Sequence, residues 1–146
     1  MCWEATRKSN RWPRIATKDI PVFKIGQLRN GCVTPYFYSD NVIYSEGKTY
    51  VQPIWNFLWP KRYRGIGIHC YSNECTITTE YSCFVEVEGP FNGIKKPYLQ
   101  EYSLKPSVKM EAVIPKGTIF FQNDNGEMVT TRLRIGKMHV VSKGIL

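Results

Sequence analysis

Long apolar runs are absent from this 146-residue chain: each is only a few residues, far short of the ~20 that cross a bilayer as a helix. The opening stretch, MCWEATRKSNRWPRI, lacks the apolar segment of a secretory signal, so a cytoplasmic protein is expected. Sustained 3.6-residue periodicity is also missing, as are heptads, repeats and low-complexity tracts, which leaves room for one or two short helices at most. Complete catalytic motifs are lacking too. There is no Gly-x-x-x-x-Gly-Lys-Ser/Thr phosphate loop, no Gly-x-Ser-x-Gly and no His-Glu-x-x-His. Gly65-Ile66-Gly67 is too little for a dinucleotide fingerprint without a helix after it. Histidine is scarce, with only His69 and His139. The cysteines number five, an odd count at irregular spacing, so reduced thiols are the default.

What remains is basic and aromatic. The formal net charge is +8 and the aromatic content 14%. That balance favours encounter with polyanions such as nucleic acid or nucleotides, and it also confers solubility. Apolar residues make up 42%, enough for a packed core, and the length suits a single domain over residues 1–146. Within it, residues 1–18 read as an irregular basic arm, where Arg7, Lys8, Arg11, Arg14 and Lys18 gather around Trp3 and Trp12.

Glycines and prolines cut the chain into short elements. Strands are expected at Ile20–Ile25, Cys32–Tyr38 and Asn41–Tyr44. A hairpin should join Val42–Tyr44 to Thr49–Val51 across Glu46-Gly47. Gly65–Tyr71 reads as a strand with Ile66, Ile68 and Cys70 on one side and His69 and Tyr71 on the other. Ser72–Tyr81 is ambiguous between helix and strand, because Ser72 suits an N-cap but the run Thr76–Thr79 is β-branched. Cys83–Glu88 alternates as a strand, and Pro90–Pro106 is a long loop. Lys109–Ile114 alternates again, with Met110, Ala112 and Ile114 facing the core. Ile114-Pro115-Lys116-Gly117 suits a type I turn into Ile119–Phe121. Asn123–Gly126 is a dense turn signal. Arg132–Ile135 and Met138–Val141 read as a hairpin across Gly136-Lys137. The fold class is therefore mostly β to α+β, a compact domain of short, mainly antiparallel strands.

Several of these features recur together elsewhere. A Met-Cys start, the strand opening Lys18-Asp19-Ile20, the central Gly67-Ile68-His69-Cys70-Tyr71, and Ile114–Gly117 followed by an aromatic pair and Gly126-Glu127 resemble a group of uncharacterised small proteins of gut Bacteroidetes and their phages. The resemblance implies a phage or mobile-element setting and no particular activity. A more distant likeness is to the ADP-ribosyltransferase fold. It implies His69 holding a ribose, Tyr71 or Tyr81 stacking on nicotinamide, and Glu127 stabilising an oxocarbenium-like centre, with NAD as cofactor. The paired Glu86-Val87-Glu88 stands in the wrong order for that family.

Three groups of residues are candidates for chemistry. Cys70, Cys75 and Cys83 with His69 gather potential metal ligands. His69 and Cys70 point to opposite faces of a strand, however, so core thiols are the expectation and no metal is assigned. A cysteine–histidine nucleophilic pair needs a thiolate beside a base, and neither His69 nor His139 is tied to one by the sequence. The third group is the arm Arg7–Lys18 with the patch Trp55–Arg64, the basic-plus-aromatic mixture of single-strand and nucleotide binders, in which Trp55, Trp59, Lys61, Arg62, Tyr63 and Arg64 are the expected contacts. Against it stands a packing reading in which Trp55, Phe57 and Trp59 alternate into the core. The expectation is a non-enzymatic binding module for nucleic acid, nucleotide or a host protein, without cofactor. The alternatives are a divergent ADP-ribosyltransferase-like enzyme using His69, Glu127 and NAD, and a structural or virion-associated interaction module.

Overall fold

In the computed structural model the described residues are 3–35, 42–72 and 107–141. The readings for residues 73–106, including Cys75, Tyr81, Cys83 and Glu86–Glu88, lie outside them, as do Tyr36–Tyr38 of the strand expected at Cys32–Tyr38 and Asn41 of the strand expected at Asn41–Tyr44. The described chain runs β1 (Trp3–Glu4), a 3-10 turn (Lys8–Arg11), β2 (Arg14–Ile15), β3 (Ile20–Arg29), β4 (Cys32–Pro35), β5 (Thr49–Val51), β6 (Tyr63–Arg64), β7 (Ile68–Ser72), β8 (Ser107–Ile114), β9 (Ile119–Gln122), β10 (Glu127–Thr130) and β11 (Arg132–Val141). The protein is mostly β. No helix among the described residues is long and apolar enough to cross a membrane.

Nine strands form one antiparallel sheet in the order β2-β9-β10-β7-β3-β8-β11-β5, with β4 also on β3. The long β3 is its spine. One edge pairs with β8 from Ile20 to Gln27. The other edge is shared: Val22 and Phe23 pair with β7, and Gly26 to Arg29 pair with β4. Between these two pairings the sheet forks at Lys24. On the far side Tyr44 bridges Val33 of β4, while Thr49–Val51 of the same segment pairs with β11. The segment thus ties β4 to β11 and closes the strands round the main core.

Alternation decides which core each residue joins. Cys70, Met110, Ala112, Ile114, Phe120, Met128, Leu133 and Ile135 are buried in the main cluster. Their chain neighbours Phe121 and Val129 point the other way and build a second cluster with Trp3, Ala5 and Ile54. The clean alternation read in Lys109–Ile114 is what the structure has, with Met110 and Ile114 fully buried.

Four local expectations are corrected. Gly136-Lys137 is no hairpin; β11 runs straight through it, and the pairing with β8 shifts between Ile135 and Met138. Two residues there oppose Glu111 alone, which makes a β-bulge, the other common meaning of glycine inside a strand pattern. The hairpin from Val42–Tyr44 to Thr49–Val51 does not form, because each half pairs with a different strand. The turn after β8 lies one residue later than expected: Thr118 N donates to Pro115 O (3.2 Å), and Gly117 at φ +87° takes the third position. That is the glycine position of a type II turn. Finally, Gly65–Gly67 stays outside β7, and Ile66 is exposed rather than facing the core.

Residues 3–18 of the basic arm pack onto the sheet. From Trp3 onward they are woven in by β1, the 3-10 turn and β2. Trp3 is 2% exposed, lies 5.8 Å from the Phe121 ring, and donates from Nε1 to Glu127 O (2.8 Å). A large ring of this kind secures a short segment far better than its two-residue strand could.

Candidate functional site

The basic and aromatic residues singled out in the sequence lie in the connection between β5 and β7. Two prolines, Pro53 and Pro60, and the left-handed Asn56 (φ 53°) stop this stretch from extending as a strand. Trp59 N closes a turn by donating to Asn56 O (2.9 Å). Without strand alternation the tryptophans are not driven inward. Trp55 is 69% exposed and Trp59 67%, with Leu58 and Tyr63 also exposed and only Phe57 packed against the second core. The alternating-core reading of Trp55 and Trp59 is therefore wrong.

The chain then enters β6, which pairs with β1: Trp3 opposite Arg64 and Glu4 opposite Tyr63. Opposite residues of an antiparallel pair share a face. Trp3 and Arg64 face inward, and Glu4 and Tyr63 face solvent. Arg64 is accordingly no surface cation, and this corrects its place among the ligand-binding candidates. It is 4% exposed, with its guanidinium carbon 3.8 Å from the Phe121 ring centroid. Nη2 donates to Trp59 O (2.6 Å) and Arg11 O (3.4 Å), and Nη1 to Asn56 O (3.5 Å). Burial lowers its pKa, yet a guanidinium stays charged in a protein. The carbonyl dipoles and the negative face of Phe121 offset that buried charge.

Because one nitrogen of Arg64 holds both Arg11 O and Trp59 O, the N-terminal turn and the aromatic connection meet. Trp12, 52% exposed, follows Arg11 directly, so one buried side chain holds the backbone leading into Trp12 and that of Trp59. Arg62 lies over the Tyr63 ring (5.2 Å) and pairs with Glu4 at 2.8 Å from Nη2. Lys61 is exposed and forms no ion pair among the described residues. Arg7, by contrast, is engaged with Asp124 at 3.1 Å. A depression of about 110 Å³ opens between Trp55, Lys61 and Tyr63, floored by Ile54.

His69 and Glu127 come out close together. β7 and β10 pair with Tyr71 opposite Glu127 and His69 opposite Val129, so all four share one face of the sheet. The surroundings are those of packing. Val129, Phe121, Trp3 and Ile54 fill that face as the second core. Gly67, at φ +127°, lets the connection cross it; a Cβ there would stand 2.5 Å from Val129 Cγ2. Glu127 belongs to the β9–β10 turn, where its Oε1 accepts from Asn123 Nδ2 (2.7 Å) and its N–H donates to Asn123 Oδ1 (3.0 Å). His69 Nε2 meets Gly65 O at 3.0 Å, and since a carbonyl only accepts, Nε2 carries the proton. Burial, and then the charge of Lys24, pull its pKa from 6.5 to about 4, against the hydrogen bond to Gly65. A neutral imidazole bound to a carbonyl over an apolar cluster is suited to holding a loop in place.

At the fork in the sheet lies a charge that sequence reading missed. Lys24 is a main-core position by alternation, opposite Met110, and is 8% exposed. Its Nζ donates to His69 O (2.6 Å) and lies 5.6 Å from the Tyr44 ring centroid. Burial pulls its pKa from 10.5 to about 8 and pushes the adjacent Cys70 thiol up to about 12. Cys70 is thus the core thiol expected, an inert one, on the opposite face from His69. No group of three or more metal-binding side chains occurs among the described residues.

Comparison with protein-family models, with curated proteins and with solved structures finds no match to this chain.

Proposed function

We propose that the protein is a non-enzymatic binding module whose aromatic, basic surface engages nucleic acid. The observation that supports this reading best is the Arg64 clamp. It ties the turn that leads into the exposed Trp12 to the connection that carries the exposed Trp55 and Trp59, with Lys61 and Arg62 following in that connection. Exposed tryptophan is the residue a folded protein most gains by burying, and three exposed tryptophans among the described residues are unusual without a partner. Rings supply sequence-tolerant stacking and lysines supply phosphate contacts, the two components of single-strand binding. A free nucleotide as the main ligand is disfavoured by size, since the depression of about 110 Å³ is well below the ~300–1,000 Å³ of enclosing small-molecule sites. A phage-encoded setting, implied by the sequence resemblance, accords with this role.

Titration of the full chain with a short oligonucleotide, read by tryptophan fluorescence at a series of salt concentrations, tests the proposal. Quenching with an affinity that falls linearly in log–log form against salt is expected. No binding even at low salt would end it.

A further inference from the structure

One part of this surface has the walls and size of a seat for a single ring. Trp55 and Tyr63 line the depression, Ile54 and Ile66 supply its apolar contact, and Lys61 stands at its edge. At about 110 Å³ it holds a few waters, each taking ~30 Å³, or the flat body of one ring. Its floor and one wall are fixed before any ligand arrives. Ile54 is buried in the second core, against which the Gly67 turn packs. Tyr63 is held in β6 opposite Glu4, with Arg62 stacked on its ring and tied to Glu4 at 2.8 Å. Arg64, which also lines the depression, is committed to carbonyls. The amine of Lys61 is left to meet an anion.

We propose that this depression seats one unstacked nucleobase of a single strand, with Trp55 and Tyr63 as its aromatic walls and Lys61 on the neighbouring phosphate. This rests on the nucleic-acid reading above and sharpens it to a strand class. A duplex keeps both faces of every base inside its stack, so it offers the seat nothing. The sugar lies outside the depression, so DNA and RNA strands share the recognised chemistry, an unstacked base on a phosphodiester.

The test uses the full chain and labelled oligothymidine, oligouridine, a duplex of equal phosphate count and an abasic strand of equal length, compared by fluorescence anisotropy. Both single strands should bind more tightly than the duplex and the abasic strand by roughly 5- to 150-fold, the range for stacking one base. Trp55→Ala, at an exposed position, should lower that ratio by at least about 5-fold. Lys61→Met should weaken all four about alike and lower the salt slope by about 1. Equal binding of duplex, abasic strand and single strands overturns the base seat while leaving nucleic-acid binding in place, as does a Trp55→Ala variant that keeps the preference. A gap of more than about 150-fold between DNA and RNA, beyond what one stacked base supplies, also overturns it. Binding of none of the four overturns both readings.

Discussion

Replacing Lys24 with Met should leave the protein about as stable at neutral pH, or more stable, although it deletes a charged side chain that makes a hydrogen bond. In the fold the Lys24 ammonium is buried, and its pKa falls from 10.5 to about 8. At about 1.4 kcal/mol per pH unit, that drop represents roughly 3 kcal/mol of cost for keeping the charge inside. The methionine removes this cost and fits a similar volume, but leaves His69 O without its 2.6 Å donor, a loss of about 1–3 kcal/mol. The net change at pH 7 should therefore lie between about 0 and 2 kcal/mol of gain. The pH dependence is the sharper measurement. Between pH 8 and 10.5 the unfolded chain holds a proton on Lys24 that the folded chain has released, so wild-type stability rises with pH through that window. Cys70 works in the opposite sense. Its thiol is pushed up to about 12 from 9.0, so stability is lost from pH 9 upward as the unfolded thiol ionises. Both proteins contain Cys70, so to first order its effect cancels in the difference between them. Urea unfolding followed by tryptophan fluorescence from pH 7 to 10.5 should show the wild type gaining up to about 3 kcal/mol on the variant. A difference that stays flat across that range, or a variant several kcal/mol less stable at pH 7, would refute the account of a costly buried ammonium.

Three further outcomes follow from the site. Gly67→Ala should cost about 2–4 kcal/mol, from a Cβ 2.5 Å from Val129 Cγ2 in a left-handed backbone, and a urea midpoint within error of wild type would contradict it. In NMR titration the His69 imidazole should remain neutral to below pH 5; because its folded pKa of about 4 lies under the unfolded 6.5, the stability it confers is lost as pH falls through that interval, and a midpoint near 6.5 would show the ring is not buried as described. Arg64→Lys should lose about 2 kcal/mol, because an ammonium cannot span the carbonyls of Asn56, Trp59 and Arg11, and it should weaken oligonucleotide binding although Arg64 is not exposed; native-like affinity would mean that the surface does not depend on the clamp.

Local pattern carried a good part of the fold. The alternation of Met110, Ala112 and Ile114, the opposed faces of Cys70 and His69, and the Asn123–Gly126 turn are all properties of neighbours in sequence. They appear in the structure as read. Gly136-Lys137 was misread because a bulge and a two-residue hairpin carry the same local signal; only the presence of β8 alongside decides between them. The Trp55–Arg64 stretch was recognised for its chemistry, and its exposure came from Pro53, Pro60 and Asn56 breaking the alternation. Arg64 could not be separated from Lys61 and Arg62 by composition. Its burial depends on β1, a two-residue strand about sixty positions away. Lys24 was hidden for a similar reason: it stands at a core position of β3, but its cost and its partner both arise from a fork between β4 and β7.

The Arg64 clamp also makes the surface a reporter of the whole fold. Arg11 and Arg64 are 53 positions apart, so neither segment as an isolated peptide reproduces the patch. Any ligand that needs both segments binds only the folded chain, and every tenfold excess over its Kd adds about 1.4 kcal/mol to stability. A rise in melting temperature would therefore identify the partner without any assumption about what the partner is.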